Sequence, residues 1–423
     1  MTRYITRFEG SLDGTIYAAE QIQSMDKGRP LFARYDLPAV AAAVDRDALS
    51  RRPENMWRYR ELLPVGDEIE PVSLCEDFTP MIQCPGLGKW LGLERVTIKD
   101  ESRLPGLSFK ARGLSLAVTM ARHFGISRIA MASNGNAGGA MAAYAARAGI
   151  DSVMFVPQDT PRANIAEAIN AGSLVWRADG LIDDCGKKIR QGHDRGLWFD
   201  ISTMKEPYRL EGKKTMGLEL ADQLGWKLPD VIVFPTGGGT ALIAMWKAFQ
   251  EMCELGWLET ETFPRLVSVQ STGCQPLVRA FQSGERFATR YENAHTLAAG
   301  LRVPGGIGDF LVLDAVRASG GVVIAGEEER IFEWQAEVGR REGIMLCPES
   351  ATCIGAVQQM VSDGRIAKDE HVVFFNTAAG QKYLDYLDLE VPGLCLEKLD
   401  WDNMTNSVHA ASRFGRQSQS VTT

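Results

Sequence analysis

From about residue 95 onward, short apolar runs rich in β-branched residues alternate with stretches in which apolar positions recur every three or four residues. The runs "RIAMAS", "DSVMFVP", "SLVWRAD", "LWFDIST", "VIVFPT", "RLVSVQS", "GVVIAG" and "HVVFFNT" predict buried strands. Between them lie helical patterns: "AMAAYAARAG", "RANIAEAINAG", "LIDDCGKKIRQG", "EGKKTMGLELADQLG", "ALIAMWKAFQEMCELG", "PLVRAFQSG" and "EEERIFEWQAEVGRREG". Many helices end at a glycine, among them Gly125, Gly149, Gly172, Gly256 and Gly343. Glycine takes the left-handed C-terminal cap without a Cβ clash. Strand then helix, repeated, predicts an α/β fold with a mostly parallel sheet covered on both faces.

The first 75 or so residues read differently. "LFARYDLPAVAAAVD" and "MWRYRELLPV" suggest short elements joined by loops, an arm over residues 1–75 packing on the body. The end of the chain, "NMTNSVHAASRFGRQSQSVTT", is polar and reads as a tail. There is no internal repeat and no low-complexity block.

Composition narrows the function. At 423 residues the chain is long enough for two domains, and its net charge of −8 argues against a nucleic-acid surface. No apolar run is long enough to span a membrane. The start, "MTRYITRFEGSLDG", carries charges throughout, so a cytoplasmic location is expected. Eight cysteines are scattered without a CxxC pair, and five histidines are dispersed. Free thiols are therefore expected rather than a disulfide frame, and no metal site.

Four places carry candidate chemistry. In "LPGLSFKARG", Lys110 stands at the start of a helical run. By itself it is an ordinary helix lysine. In "MASNGNAGGAMAAY", a strand ends at Ser133 and a helix follows, so the backbone N–H groups of the turn suit a carboxylate. In "VIVFPTGGGTALIAMWKAF", Gly237, Gly238, Gly239 and Thr240 join a buried strand to a helix, and three glycines let a phosphate approach the backbone. In "HVVFFNTAAGQKY", Thr377 offers a hydroxyl at the sheet edge. Each is weak alone. Together they supply an amine for an imine, a phosphate cradle, a carboxylate nest and a hydroxyl for a ring nitrogen, the needs of pyridoxal phosphate holding an amino acid.

With these residues in view, the chain resembles the fold type II pyridoxal-phosphate enzymes, most closely threonine synthase and its relatives. "SFKARG", "SNGNAGGAMAAYAARAGI", "PQDTPRANI", "EPYRLEGKKTMGLELADQLGWKLPDVIVFPTGGGTALIAMWKAF", "ENAHTLAAGLRVP" and "FNTAAGQKY" carry the resemblance, which spans roughly residues 55 to 385 in order. It implies two open parallel-sheet domains with the cofactor between them, as in the tryptophan synthase β chain: a large domain of 76–110 with 206–395, and a small domain of 111–205, followed by a tail of 396–423. It implies pyridoxal 5′-phosphate as cofactor, a small amino-acid substrate and a homodimer. Residue by residue, Lys110 matches the Schiff-base lysine, and Asn136 the asparagine beside the cofactor's phenolic oxygen. Gly237 to Thr240 match the phosphate loop, and Thr377 the hydroxyl facing the pyridine nitrogen. Ser108, Ser133, Asn134, Gly135 and Gly138 match the substrate side. The basic cluster Lys205, Arg209 and Lys213 is a candidate second anion site, with a solvated helix start as the alternative.

Departures fall before the lysine. Leu104, Gly106 and Leu107 stand where relatives carry polar or small residues, and Asn134 enters the carboxylate loop. A Leu entering there is expected to shrink and dry the substrate pocket. Threonine synthase removes phosphate from the γ carbon of O-phosphohomoserine and adds water at the β carbon. The resemblance therefore implies a lyase that expels a β or γ leaving group from an L-amino acid, with a diverged pocket. A dehydratase (ammonia-lyase) or β-replacement synthase of the same fold is the alternative, and a non-catalytic paralogue a further one.

Overall fold

The computed structural model describes residues 3–259 and 262–387, with scattered positions between 391 and 404. Three sheets organise the described residues. The largest has six strands in the order Val322–Gly326, Arg265–Ser271, Val231–Pro235, His371–Asn376, Arg95–Asp100 and Met81–Gln83. Neighbours run parallel except Met81–Gln83, which is antiparallel to Arg95–Asp100. Every residue of the central strands Val231–Pro235 and His371–Asn376 is buried, as expected of a sheet covered on both faces.

A second sheet has four parallel strands in the order Leu174–Ala178, Asp151–Pro157, Arg128–Ala132 and Phe199–Asp200. Its edges depart from the expected buried pattern. Leu174 and Trp176 are exposed on one edge. On the other, "LWFDIST" contributes only Phe199–Asp200. There the Asp200 carboxylate accepts the Ser202 N–H at 3.0 Å, which takes that group out of the ladder.

The arm is more ordered than the sequence suggested. Ile5–Gly10 pairs antiparallel with Ile16–Tyr17 and with Leu31–Tyr35. The strands were hidden because charges interleave the apolar residues. Phe8, Leu31 and Ala33 face the core, while Glu9 pairs with Arg7 and Arg34 on the other side. The Phe8 ring meets Tyr208 edge-on at 5.6 Å. The expected tail, 396–423, lies outside the described residues apart from a few positions.

The glycine caps behave as read: Gly125, Gly149, Gly172, Gly256 and Gly343 all adopt positive φ. Two helices carried no clear period in the sequence, Asp309–Ala318 and Pro348–Ser362, and both matter below.

Helix Lys110–His123 is buried from Ala111 to Ala121 and lies against helix Tyr208–Gln223. The contact is backbone to backbone: a Cβ on Gly113 would stand 2.8 Å from the Arg209 carbonyl oxygen. Arg112, two residues after Lys110, bonds Glu101 at 2.7 Å and Glu219 at 2.7 Å, and Lys99 also pairs with Glu219. All four side chains are fully buried. A buried charge is tolerated only when paired, so this cluster sets the rotation of the helix that carries Lys110.

Candidate active site

A cavity of about 610 Å³ opens beside Lys110. Its walls come from the C-terminal ends of strands in both large sheets, where ligands of open α/β folds bind. Ser133 follows Arg128–Ala132, Gly237 follows Val231–Pro235 and Thr377 follows His371–Asn376. Lys110, Ser133, Asn134, Gly135, Asn136, Lys205, Lys213, Gly237 to Thr240 and Thr377 all line it.

Lys110 keeps accessible surface because it faces this space, yet protein packs closely enough to strip water from its amine. Burial first, then the nearby Arg209 guanidinium, lowers its pKa to about 7, against the opposing pull of Glu349. The amine lies 3.7 Å from the centre of the Phe109 ring. The loop before it is bound to the strand end bearing Thr377. Phe109 N–H donates to the Thr377 carbonyl at 3.1 Å, and Ala379 N–H to the Leu107 carbonyl at 3.0 Å.

The glycine loop is shaped for close approach. Gly239 has φ +79°, and a Cβ there would strike Val312. A Cβ on Gly237 would strike the Gly300 carbonyl oxygen. Gly238 has no positive φ and meets only a Thr203 methyl, at 3.1 Å. Helix Thr240–Glu254 starts at once, so its free N–H groups and positive end face the cavity.

On the opposite wall, the Ser133 hydroxyl accepts the N–H groups of Gly135 at 3.2 Å and Gly138 at 3.0 Å. It braces its own loop. Gly138 lies behind the wall, close against Met154. Asn134 donates to the Ala299 carbonyl at 3.2 Å and so ties this loop to the segment 299–301. Asn136 donates to the Tyr383 hydroxyl at 3.0 Å, while its buried Oδ1 has no partner.

Thr377 sits in a neutral cluster. Its hydroxyl lies 3.4 Å from Cys347 Sγ and 3.3 Å from Ser350 Oγ. Burial pushes the Cys347 thiol up to about 12, so it stays protonated. Nothing in this trio is a carboxylate.

Some expected site residues stand elsewhere. Ser108 is buried off the cavity wall, with its hydroxyl unpartnered. Arg209 lies behind the wall, donating to the Ile201 carbonyl at 2.9 Å with Nε and Nη2 unpaired. The expected effect of Leu104, Gly106 and Leu107 on the pocket is not found. None of them lines the cavity. Leu104 is buried in the core beside the four-stranded sheet. Leu107 has φ +54° and is 45% exposed, so its side chain points to water rather than to the cavity.

Sequence reasoning missed Glu349, Tyr383, Lys187 and Arg190, all on the wall. Tyr383 donates to Glu349 Oε1 at 2.9 Å, and that oxygen also accepts Gly300 N–H at 2.8 Å. The signal for Glu349 was the Cys347-Pro348 start of a buried helix, with proline at its first position. Lys187 and Arg190 belong to helix Ile182–Asp194 and are paired with Asp184 and Asp194. Lys205 and Lys213 have no carboxylate partner among the described residues.

A family model described as "Pyridoxal-phosphate dependent enzyme" matches residues 72–378. The chain is 34% identical over 364 residues to a threonine synthase of Methanocaldococcus jannaschii, covering 86% of this chain and 89% of the relative. It is 33% identical to a threonine synthase of Mycobacterium tuberculosis, covering 79% of this chain and 90% of the relative. Among solved structures, diaminopropionate ammonia lyase from Escherichia coli superposes with a TM-score of 0.63 at 16% identity, over 74% of this chain and 88% of that one. The processed form of threonine deaminase isoform 2 from Solanum lycopersicum gives 0.60 at 18%, over 79% and 83%. At such identities these two structures speak for the fold alone.

Proposed function

The chain belongs to the fold type II pyridoxal-phosphate-dependent enzymes, is similar to threonine synthases, and from that premise we propose that it is a carbon–oxygen lyase acting on an L-amino acid with a β or γ leaving group. The observation that carries this reading is the buried Lys110 amine, held near neutral pKa on a cavity with a glycine cradle on one wall and the Ser133–Asn136 loop on another.

The residues present fit the cofactor. A Cβ at Gly237 or Gly239 would fill space the fold keeps open, Asn136 Oδ1 is unpartnered, and the Lys110 amine has no hydrogen-bond acceptor among the described residues. When bound, pyridoxal phosphate supplies an electron sink for the bonds at the substrate's α carbon. Gly237 to Thr240 would hold its phosphate, Asn136 its phenolic oxygen, and Thr377 its ring nitrogen.

The chain's own groups do the rest. The Lys110 amine, desolvated and uncharged near pH 7, can take a proton at the α carbon and return it. A neutral hydroxyl at Thr377, beside a protonated thiol and a second hydroxyl, cannot hold a proton on the ring nitrogen as a carboxylate would. That weaker sink suits departure of a good leaving group. The N–H groups around Ser133 to Gly135 would bind the substrate carboxylate. Lys205 and Lys213, with no carboxylate partner, support an anionic leaving group such as phosphate; Arg209, behind the wall, backs them by charge rather than contact. We take the lobes as 76–110 with 206–395 against 111–205, and retain the homodimer and the cytoplasmic setting.

A screen of amino acids and phosphoamino acids, O-phosphohomoserine included, tests this reading. Release of 2-oxo acid, ammonia and phosphate is followed together. Phosphate release with an amino-acid product supports a threonine-synthase-type reaction, and 2-oxo acid with ammonia a dehydratase. Turnover of none of them by cofactor-loaded protein contradicts the lyase reading.

A further inference from the structure

Lys213 is a second amine on the cavity wall. It stands one turn beyond Arg209 on helix Tyr208–Gln223. Its Nζ lies 5.1 Å from the centre of the Phe109 ring, and Lys110 Nζ lies 3.7 Å from the same centre. The two amines share one aromatic platform and open on one space. The charged groups that face Lys213 are Arg209 on its own helix, Lys110 on the helix packed against it, and Glu206 just before its helix. No hydrogen-bond acceptor or carboxylate holds the Lys213 amine among the described residues.

A buried, unpaired amine is destabilising, and an uncharged side chain of similar length would avoid that loss. Burial first, then the Arg209 and Lys110 charges, push the Lys213 pKa well below the ordinary value, with Glu206 opposing. Such an ammonium is a far stronger acid than one on the surface, and the side chain spends more of its time as the neutral amine.

Resting on the lyase reading above, we propose that Lys213 is a second acid–base group of this cavity, serving the leaving group and the added water while Lys110 serves the α carbon. As the carbon–oxygen bond breaks, its electron pair goes to the departing oxygen. The Lys213 ammonium gives that oxygen a proton and becomes a neutral amine. Where water then adds to the β carbon, its oxygen forms the new bond and its proton goes to Lys213, which restores the ammonium.

The test separates proton transfer from mere charge. Lys213→Met removes the amine; Lys213→Arg keeps a cation that cannot give up its proton. Wild type and both variants, loaded with pyridoxal phosphate, are assayed on L-serine and on β-chloro-L-alanine. Loss of hydroxide from serine needs a proton, and loss of chloride does not. On serine both variants should fall by about 100-fold or more in kcat, the scale of lost acid–base catalysis. On β-chloro-L-alanine the losses should be at least about tenfold smaller, because there the variants forfeit at most charge support for the leaving group and no proton transfer. Equal losses on the two substrates, or an arginine variant as active as wild type on serine, would overturn the proposal. So would a wild type that releases neither chloride nor water.

Trace acetylation of wild type across pH, read by peptide mass spectrometry, gives a readout that needs no turnover. Lys213 should titrate below the exposed lysines; titration alongside them would overturn the proposal. Borohydride fixation of the cofactor on Lys110 should persist in both variants. Its absence from wild type would instead count against the lyase reading itself.

Discussion

The Phe109 N–H donates to the Thr377 carbonyl at 3.1 Å. Together with the bond from Ala379 N–H to the Leu107 carbonyl, it joins the loop before Lys110 to the strand end that carries the hydroxyl of the site. Two segments far apart in sequence are thereby held in a fixed relation. Replacing the Thr377 side chain leaves that bond intact, so the effects of bond and hydroxyl can be separated.

Thr377→Ala should keep the fold and the covalent cofactor while kcat falls. One hydrogen bond of about 1.5 kcal/mol corresponds to roughly tenfold in rate. Absorbance of the bound cofactor and steady-state kinetics check this. A variant with wild-type kcat would show that the hydroxyl plays no part.

Gly239 and Gly238 should differ. Gly239→Ala forces a Cβ into the left-handed region and against Val312, with about 1–2 kcal/mol lost to backbone strain alone. Gly238→Ala needs only a small shift of the Thr203 methyl. Equilibrium dialysis with pyridoxal phosphate should find weaker binding in the first and near-normal binding in the second. The reverse order would mean that the cradle is shaped otherwise.

Much of this arrangement was legible in the sequence. Lys110, the 133–136 loop, the 237–240 loop and Thr377 each lie at a strand-to-helix junction, and periodicity finds junctions well. What it could not supply was the direction of side chains within loops. Leu107 turns to solvent because its backbone is left-handed, and Arg209 lies behind the wall because helix Tyr208–Gln223 packs backbone to backbone at Gly113. Glu349 and Tyr383 were invisible for a different reason. Their roles depend on a mutual hydrogen bond between residues 34 positions apart, which no local pattern encodes.

The buried cluster around Arg112 should govern acid stability. Burial alone would raise the Glu219 pKa, but Arg112 and Lys99 win and hold it at about 2, below its ordinary 4.5. A depressed carboxylate stabilises the fold fully above its unfolded pKa. That contribution should therefore be complete above about pH 4.5 and lost as pH falls toward about 2. Arg112→Ala would leave Glu101 without its ion-pair partner in the core and Glu219 with Lys99 alone, a loss of about 3–5 kcal/mol. Urea unfolding at pH 7 and pH 4 should find the variant much weaker at pH 7, with a smaller acid sensitivity than wild type. Equal stability of the two proteins would contradict the pairing.

Capture of the cofactor should follow the Lys110 amine. Only the uncharged amine attacks an aldehyde. With its pKa lowered to about 7, the reactive fraction rises as pH climbs through that value and levels off above it. Stopped-flow absorbance on cofactor-free protein should find the capture rate still rising at pH 6 and flat by about pH 8.5. A rate still climbing steeply there would mean an ordinary lysine.

Borohydride reduction of the pyridoxal-phosphate-loaded protein, followed by peptide mapping, tests the central claim most directly. The account predicts the added pyridoxyl mass on the peptide containing Lys110, and its absence from Lys110→Ala. Label on Lys213, or on any lysine other than Lys110 in the wild type, would contradict it.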